Sequence, residues 1–428
     1  MRIGVVPFLD RQGGGIYQYT VTMLQALLII KKDGFSDEFI IFSTNSNHPL
    51  IIELRKQDFQ IISLEPSSIK EKLKHVIKTN IDEKWIFNTY SYLTGLSRIR
   101  HKKIDLNSIK RRDKIRNHFL SYKTDLIIYT APTSLSFEVN IPYVMPIHDL
   151  QHRLQPEFPE VSADGEFEER EYLYSNGIKQ ATMILAESEV GKEDIIRFYD
   201  KDKKLNRNKI KILPYIPSFV DIKNNDEVGI KVREKFHLPK RYLFYPAAFW
   251  PHKNHLRIIK ALDVINDKYK CKIPIVFCGS YIGKYRKESY DEVRETAKKF
   301  SIETYYLDYV KDSDLVGLYT GAEALVMPTF FGPTNIPVIE AWVVGCPVIT
   351  SDIRGIREQV GDAALLVDPK NEKDIARGIY KLWTDGKLRK NLISKGKMKV
   401  KSYSFDDYCR RLQSLIDEAK ACIEYNNK

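Results

Sequence analysis

Segment 328–369, PTFFGPTNIPVIEAWVVGCPVITSDIRGIREQVGDAALLVDP, constrains the fold more than any other stretch of the chain. Strand, turn and helix signals alternate along it at the spacing of βαβ units, which a parallel sheet with crossover helices accommodates. Residues 325–327 read as the end of a buried strand. Residues 332–335 read as a turn, because Gly, Pro and Asn each favour one. Pro337 suits a first helical turn, where its missing N–H costs nothing. Glu340 follows within about a turn, near backbone N–H groups that lack helical partners. Residues 346–350 form a second short apolar strand. The expected product is a helix N-terminus at the carboxyl end of a parallel strand, with a carboxylate beside it. Such termini attract phosphate, and a nearby carboxylate can bind ribose hydroxyls. The pattern therefore points to a nucleotide-linked substrate.

The same alternation runs through the whole chain. Strands are expected at 3–7, 38–43, 60–63, 125–129 and 143–147, with a glycine loop at 11–15 and an amphipathic helix at 17–30. The run KQATMILAESEVGKEDIIRFY reads as helix, strand and helix. Residues 209–217, rich in proline, read as an exit and linker between domains. A second series follows, with strands at 242–245, 273–278 and 304–307 and helices at 255–266, 290–300 and 313–319. A chain of 428 residues suits two domains of about 200 residues each. The fold class is α/β, with two doubly wound halves and no clear sequence repeat between them.

Segment 328–369 resembles the retaining nucleotide-sugar glycosyltransferases of family 4. Their pattern runs P-S-x-x-E-G-F-G-L-P-x-L-E-A, then G-x-P-V-I, G-x-x-E and G-x-x-x-L-V-x-P. This chain supplies Pro328, Thr329, Pro337, Glu340 and Ala341, then Gly345, Pro347, Val348 and Ile349, then Gly355, Glu358, Gly361, Leu366, Val367 and Pro369. The first acidic position of the pattern falls on Gly332, so only the second carboxylate, Glu340, is present. The resemblance implies the GT-B form, two Rossmann-like domains facing a cleft. It places an acceptor domain at 1–215, a donor domain at 216–403, and terminal helices, about 404–428, packed back on the first domain. It also implies that Glu340 meets the ribose. The family's first carboxylate lies near the donor sugar, so donor choice is left open.

Other positions carry the resemblance less completely. FWPHKNH follows the strand YLFYP, where the family has an Arg and, five residues on, a Lys that grip the donor pyrophosphate. Lys253, with Asn254 beside it, matches the Lys, and Ala248 takes the place of the Arg. Lys253 would neutralise the departing diphosphate; alternatively it is an exposed loop lysine. His148 ends the run VMPIHDL, where the family often has T-x-H-D facing the cleft. It would face the donor sugar, or else cap a strand end. Asp149 suits the local turn, and His152 or Arg153 could meet the acceptor. In the first βα loop, Gly14 and Gly15 let the backbone approach a donor, or simply form a tight turn. Thr334 and Asn335 would present backbone N–H groups to the diphosphate. Asp312-Ser313-Asp314 has metal-binding spacing, but it stands before an apolar run and reads as an N-cap, so no metal is expected. Asp406 and Asp407 after Ser404 read as a helix start in the same way.

Net charge is +12, yet no zinc finger, RNP motif or tandem repeat supports nucleic-acid binding. Nucleotide sugars and an anionic membrane surface explain the charge as well. The basic stretch 98–118 reads either as a patch meeting anionic lipid or as a solvated charged helix pair or loop. Five scattered cysteines lack C-x-x-C spacing, so neither a zinc site nor a disulfide framework is indicated. No stretch approaches the ~20 apolar residues of a membrane span. The N-terminus reads directly as a first buried strand, so no signal peptide is expected. The expectation is a cytoplasmic, cofactor-free, metal-independent enzyme. It would move a sugar from a nucleotide diphosphate sugar to a carbohydrate or lipid-linked acceptor, in bacterial polysaccharide or glycolipid synthesis. Two rivals are a GT-B nucleotide-sugar epimerase and a non-catalytic nucleotide-sugar-binding protein.

Overall fold

The computed structural model describes residues 1–65, 106–217 and 226–426. The first sheet has seven strands: β1 (Arg2–Val6), β2 (Glu38–Ser43), β3 (Gln60–Ser63), β4 (Leu126–Tyr129), β5 (Tyr143–Pro146), β6 (Met183–Ala186) and β7 (Ile210–Ile212). Their spatial order is β3-β2-β1-β4-β5-β6-β7, and every pairing is parallel. The second sheet has six: β8 (Leu243–Pro246), β9 (Ile275–Cys278), β10 (Thr304–Leu307), β11 (Ala324–Met327), β12 (Val348–Ser351) and β13 (Leu365–Val367). Its order is β10-β9-β8-β11-β12-β13, again all parallel. Strand order reverses between β1 and β4 and between β8 and β11. A crevice opens at such a switch point, at the carboxyl ends of the strands.

Strand periodicity explains the core of the first domain. Phe39 and Ile41 belong to one buried cluster, while Ile40 and Phe42 belong to the other. Leu126 and Ile128 split from Ile127 and Tyr129 in the same way. Both faces are therefore covered, as a parallel sheet requires. The first face is closed by the helices Gly15–Lys32 and Phe405–Asn426. The last helix thus completes a core whose strands lie between about 220 and 400 residues earlier in the chain. It starts with a reciprocal cap: Ser404 Oγ accepts from Asp407 N at 3.1 Å, and Asp407 Oδ2 accepts from Ser404 N at 2.8 Å.

Three local readings need correction. Residues 210–212 are not linker but β7, because Ile210 and Ile212 alternate into the edge of the sheet beside β6. Asp312 and Ser313 do not cap their helix: Lys311 holds the cap position and Asp312 and Asp314 lie in the first turn. Part of the basic stretch, 98–105, lies outside the described residues; the rest belongs to the helix Leu106–Ser121, whose Ile115 and Phe119 are buried under the first sheet. Among the described residues, no helix is long and apolar enough to cross a membrane.

Leu412 is 1% exposed in the terminal helix and packs into the first-domain core. Leu412→Ala should lower stability by about 2–5 kcal/mol. Urea unfolding followed by circular dichroism should show it, as a lower midpoint of the first-domain transition.

Candidate active site

The helix Ile336–Val344 begins where the sequence pattern placed it, after a four-residue turn, with Pro337 in its first turn. Backbone packing shapes that turn. Gly332 has φ of 150°, and a Cβ there would come within 2.7 Å of the Asn335 side chain. Gly355 lets a neighbouring helix approach, since a Cβ on it would lie 2.7 Å from Pro333 Cα. Gln359 then clamps the turn at two points: its Oε1 accepts from Asn335 N at 2.9 Å, and its Nε2 donates to Asn335 O at 3.0 Å. The Asn335 N–H is therefore already engaged, contrary to its expected role toward a diphosphate.

The loop after β8 is bonded to this turn. Phe330 N donates to His252 O at 2.8 Å, and Thr329 Oγ1 donates to the same carbonyl at 3.1 Å. Lys253 is thus held one residue from the strand-to-helix turn. Its side chain keeps some accessible surface, but surrounding atoms crowd it. Burial pulls the ammonium down to about 8, against the opposing pull of Asp149 and Glu160. Among the described residues it forms no ion pair. Asn254 behaves differently from the expectation. Its Nδ2 donates to Pro328 O at 2.7 Å and to Pro369 O at 2.8 Å, and it adopts φ of 62°. Its amide therefore ties the loops after β11 and β13 together, and both donors are occupied.

Glu340 is 4% exposed, and its Oε2 accepts from the Tyr319 hydroxyl at 2.7 Å. Burial pushes its carboxyl up to about 7, and the tyrosine bond only partly opposes this. Asp312 is likewise raised by burial, with Arg11 opposing. Arg11 belongs to the glycine loop of the first domain and stands 6.0 Å from the Tyr309 ring. Gly14, with φ of 56°, caps the next helix, and a Cβ on Gly15 would touch Ile336 Cδ1 at 3.3 Å. The first-domain glycine loop therefore lies against the start of the second-domain helix.

His148 follows β5 and meets a residue that sequence reasoning missed. Strands β5 and β6 pair Pro146 with Leu185, so two residues further His148 stands opposite Glu187. His148 Nδ1 is 2.8 Å from Glu187 Oε1, and its ring lies edge-on to Tyr19 at 4.8 Å. Its Nε2 is buried and has no hydrogen-bond partner among the described residues. The other Glu187 oxygen accepts from Thr334 Oγ1 of the second domain at 2.6 Å. A lone acid directly after the apolar run MILA was the available signal.

Further bonds join the domains. Glu160 Oε1 accepts from His252 N at 3.1 Å and lies 2.7 Å from its Nδ1. Glu358 caps the first-domain helix Glu189–Tyr199, accepting from Glu189 N at 3.0 Å and Val190 N at 3.1 Å. A cavity of about 310 Å³ on the linker side is lined by Glu187, Tyr215, Thr334 and Trp342 among others; neither Lys253 nor Glu340 borders it. His152 and Arg153, which could have met the acceptor, both bond Glu171, at 2.7 and 2.6 Å, within the first domain. Among the described residues no cluster of three or more His, Cys, Asp or Glu could hold a metal ion.

Comparison with known proteins accords with this geometry. Residues 230–399, most of the second domain, match the family described as "Glycosyl transferases group 1". The chain is 26% identical over 235 residues to O-antigen chain mannosyltransferase B of Escherichia coli, covering 54% of this chain and 59% of that protein. It is 27% identical over 249 residues to O-antigen chain mannosyltransferase RfbU of Salmonella typhimurium, covering 58% and 63%. The matched regions thus span about three fifths of these relatives. Anabaena HepE, solved in complex with UDP-glucose, superposes with a TM-score of 0.67 at 13% identity over 97% of this chain and 99% of that one. The likeness shows a shared GT-B fold.

The Glu340 carboxyl makes a pH prediction. Its folded value of about 7 lies above the ordinary 4.5, so the folded state binds this proton more tightly than the unfolded one. Its stabilising contribution is present below about 4.5 and is lost as pH rises through 7. Glu340→Gln should therefore raise the melting temperature more at pH 8 than at pH 5. The gain is on the order of 3 kcal/mol, and scanning calorimetry at both pH values checks it.

Proposed function

We propose that this chain is a retaining glycosyltransferase of family 4 that moves a hexosyl group from a nucleoside diphosphate sugar to an acceptor hydroxyl. One observation carries the reading: the Lys253 loop is bonded to the turn opening the Ile336–Val344 helix, at the switch point of the second sheet, with His148 and Glu187 opposite. The helix N-terminus and Lys253 would neutralise the leaving diphosphate, and Glu340 would meet the ribose. In this mechanism the glycosidic C–O bond breaks toward the diphosphate while the acceptor hydroxyl attacks from the same face. The leaving phosphate oxygen takes the acceptor proton. Mannose is the first donor sugar to test, because two relatives are mannosyltransferases. The relatives are named for O-antigen chains, and bacterial surface polysaccharide assembly in the cytoplasm is the setting we propose for this chain. Exposed Lys110, Arg111, Lys114 and Arg116 on the helix Leu106–Ser121 would suit peripheral contact with anionic lipid near a lipid-linked acceptor. Mass analysis of products separates transfer from epimerisation, and donor-dependent release of GDP or UDP separates either from binding alone.

Lys253→Ala should lower kcat more than donor affinity, because negative charge on the diphosphate grows as the bond breaks. The expected loss in barrier stabilisation is about 2.7–4 kcal/mol. Lys253→Arg should restore part of it, since a planar fork does not reproduce a point charge. Steady-state kinetics with GDP-mannose and UDP-glucose, alongside donor binding by calorimetry, is the test; a near-normal kcat for Lys253→Ala would remove the lysine from the mechanism.

A further inference from the structure

The cleft lacks a carboxylate at residue 332, where φ of 150° would strain any side chain and Asn335 occupies the space beside it. Any Cβ at that position would stand 2.7 to 2.9 Å from Asn335 side-chain atoms. A carboxylate nevertheless reaches the same turn from the other domain. Glu187 follows β6, and its Oε2 accepts from Thr334 Oγ1, two residues beyond Gly332, at 2.6 Å. Its Oε1 lies 2.8 Å from His148 Nδ1. The Glu187 side chain is 10% exposed and that of His148 is 13% exposed, so neither bond is a surface accident.

We infer that Glu187 is a positioning residue. It fixes the His148 ring from the first domain and, through Thr334, makes that arrangement depend on closure of the second domain. This rests on the glycosyltransferase reading above. An ionised carboxylate only accepts, so the hydrogen of the bonded pair is on Nδ1. Nε2 is then the ring atom left for a substrate hydroxyl, and it is buried with no partner among the described residues. The edge-on Tyr19 ring at 4.8 Å limits rotation of the imidazole. The carboxylate itself is held from both sides, by His148 in its own domain and by Thr334 across the cleft. When the domains part, Glu187 loses Thr334 and one of the two bonds that orient it. The imidazole is then held less firmly until donor binding brings the turn back. Glu187 carries its carboxylate directly after β6, at a strand end.

The test is a double-mutant cycle with Glu187→Gln and His148→Ala, measured on the full chain with GDP-mannose and UDP-glucose as donors. Each single variant should lower kcat roughly 10- to 100-fold while donor KM changes less than about threefold. The double variant should be no slower than His148→Ala alone, because Glu187 acts through the imidazole. Losses that multiply would overturn the inference. Thr334→Val should lower kcat more than Thr334→Ser, which keeps the hydroxyl; equal rates for the two would break the link to closure. A second readout is independent of turnover. In protein labelled with ¹⁵N-histidine, the signal lost in His148→Ala should show one Nδ1–H tautomer in the parent and a mixture in Glu187→Ala. An unchanged tautomer in Glu187→Ala would also overturn the inference. If neither donor, nor any other tried, supports turnover, the glycosyltransferase reading fails, and the tautomer measurement still decides the role of Glu187.

Discussion

The turn between β11 and the Ile336–Val344 helix organises the cleft, and three contacts fix it. Gln359 holds the Asn335 main chain at both its N–H and its carbonyl. The Asn335 side chain occupies the space beside Gly332. The bare face of Gly355 lets the second-domain helix Arg354–Val360 pack against Pro333. With the turn set, Thr334 meets Glu187, the His252 carbonyl receives Phe330 N, and Gly15 touches Ile336. Each of these contacts brings a chemically distinct part of the cleft to the same helix N-terminus. A helix start of this kind carries partial positive charge and free N–H groups, so the positions of the groups around it decide what an anion there can do.

Stability and chemistry pull in opposite directions at this place. Lys253 is lowered to about 8 by burial, and Glu340 is raised to about 7 by the same cause. Both departures favour the neutral forms, so the folded chain holds each charged form at some energetic cost. A diphosphate near Lys253 would relieve that cost by supplying a counter-charge. Domain closure adds its own network: Glu160 on His252, Glu358 on the start of the Glu189–Tyr199 helix, and Arg354 on Asp194 at 2.8 Å. These bonds are polar and reversible, as suits a cleft that must open for substrate.

Much of this architecture was legible in the sequence because it is local. Short apolar stretches marked β2, β3 and β10 to the residue, and Pro337 marked its helix start. The edge strand β7 was missed because IKI is short and the prolines after it dominate the pattern. Asn254 was misjudged for a different reason: its bonds run to Pro328 and Pro369, 74 and 115 residues away, which no spacing rule reveals. Glu187 was missed because its meaning comes from the register of β5 against β6 and from a residue of the other domain. Asp312 looked like a cap from composition alone, but the helix begins one residue earlier, and Asp312 lies in its first turn.

The central claim is that the donor diphosphate sits where the carboxyl ends of β8 and β11 meet. Hydrogen–deuterium exchange with and without GDP or UDP tests it most directly, because it reports location and needs no acceptor. Nucleotide should slow exchange in peptides covering 250–254 and 329–340 and leave 263–270, on the far side of the second domain, unchanged. Protection confined to other segments, or none at millimolar nucleotide, would contradict the account.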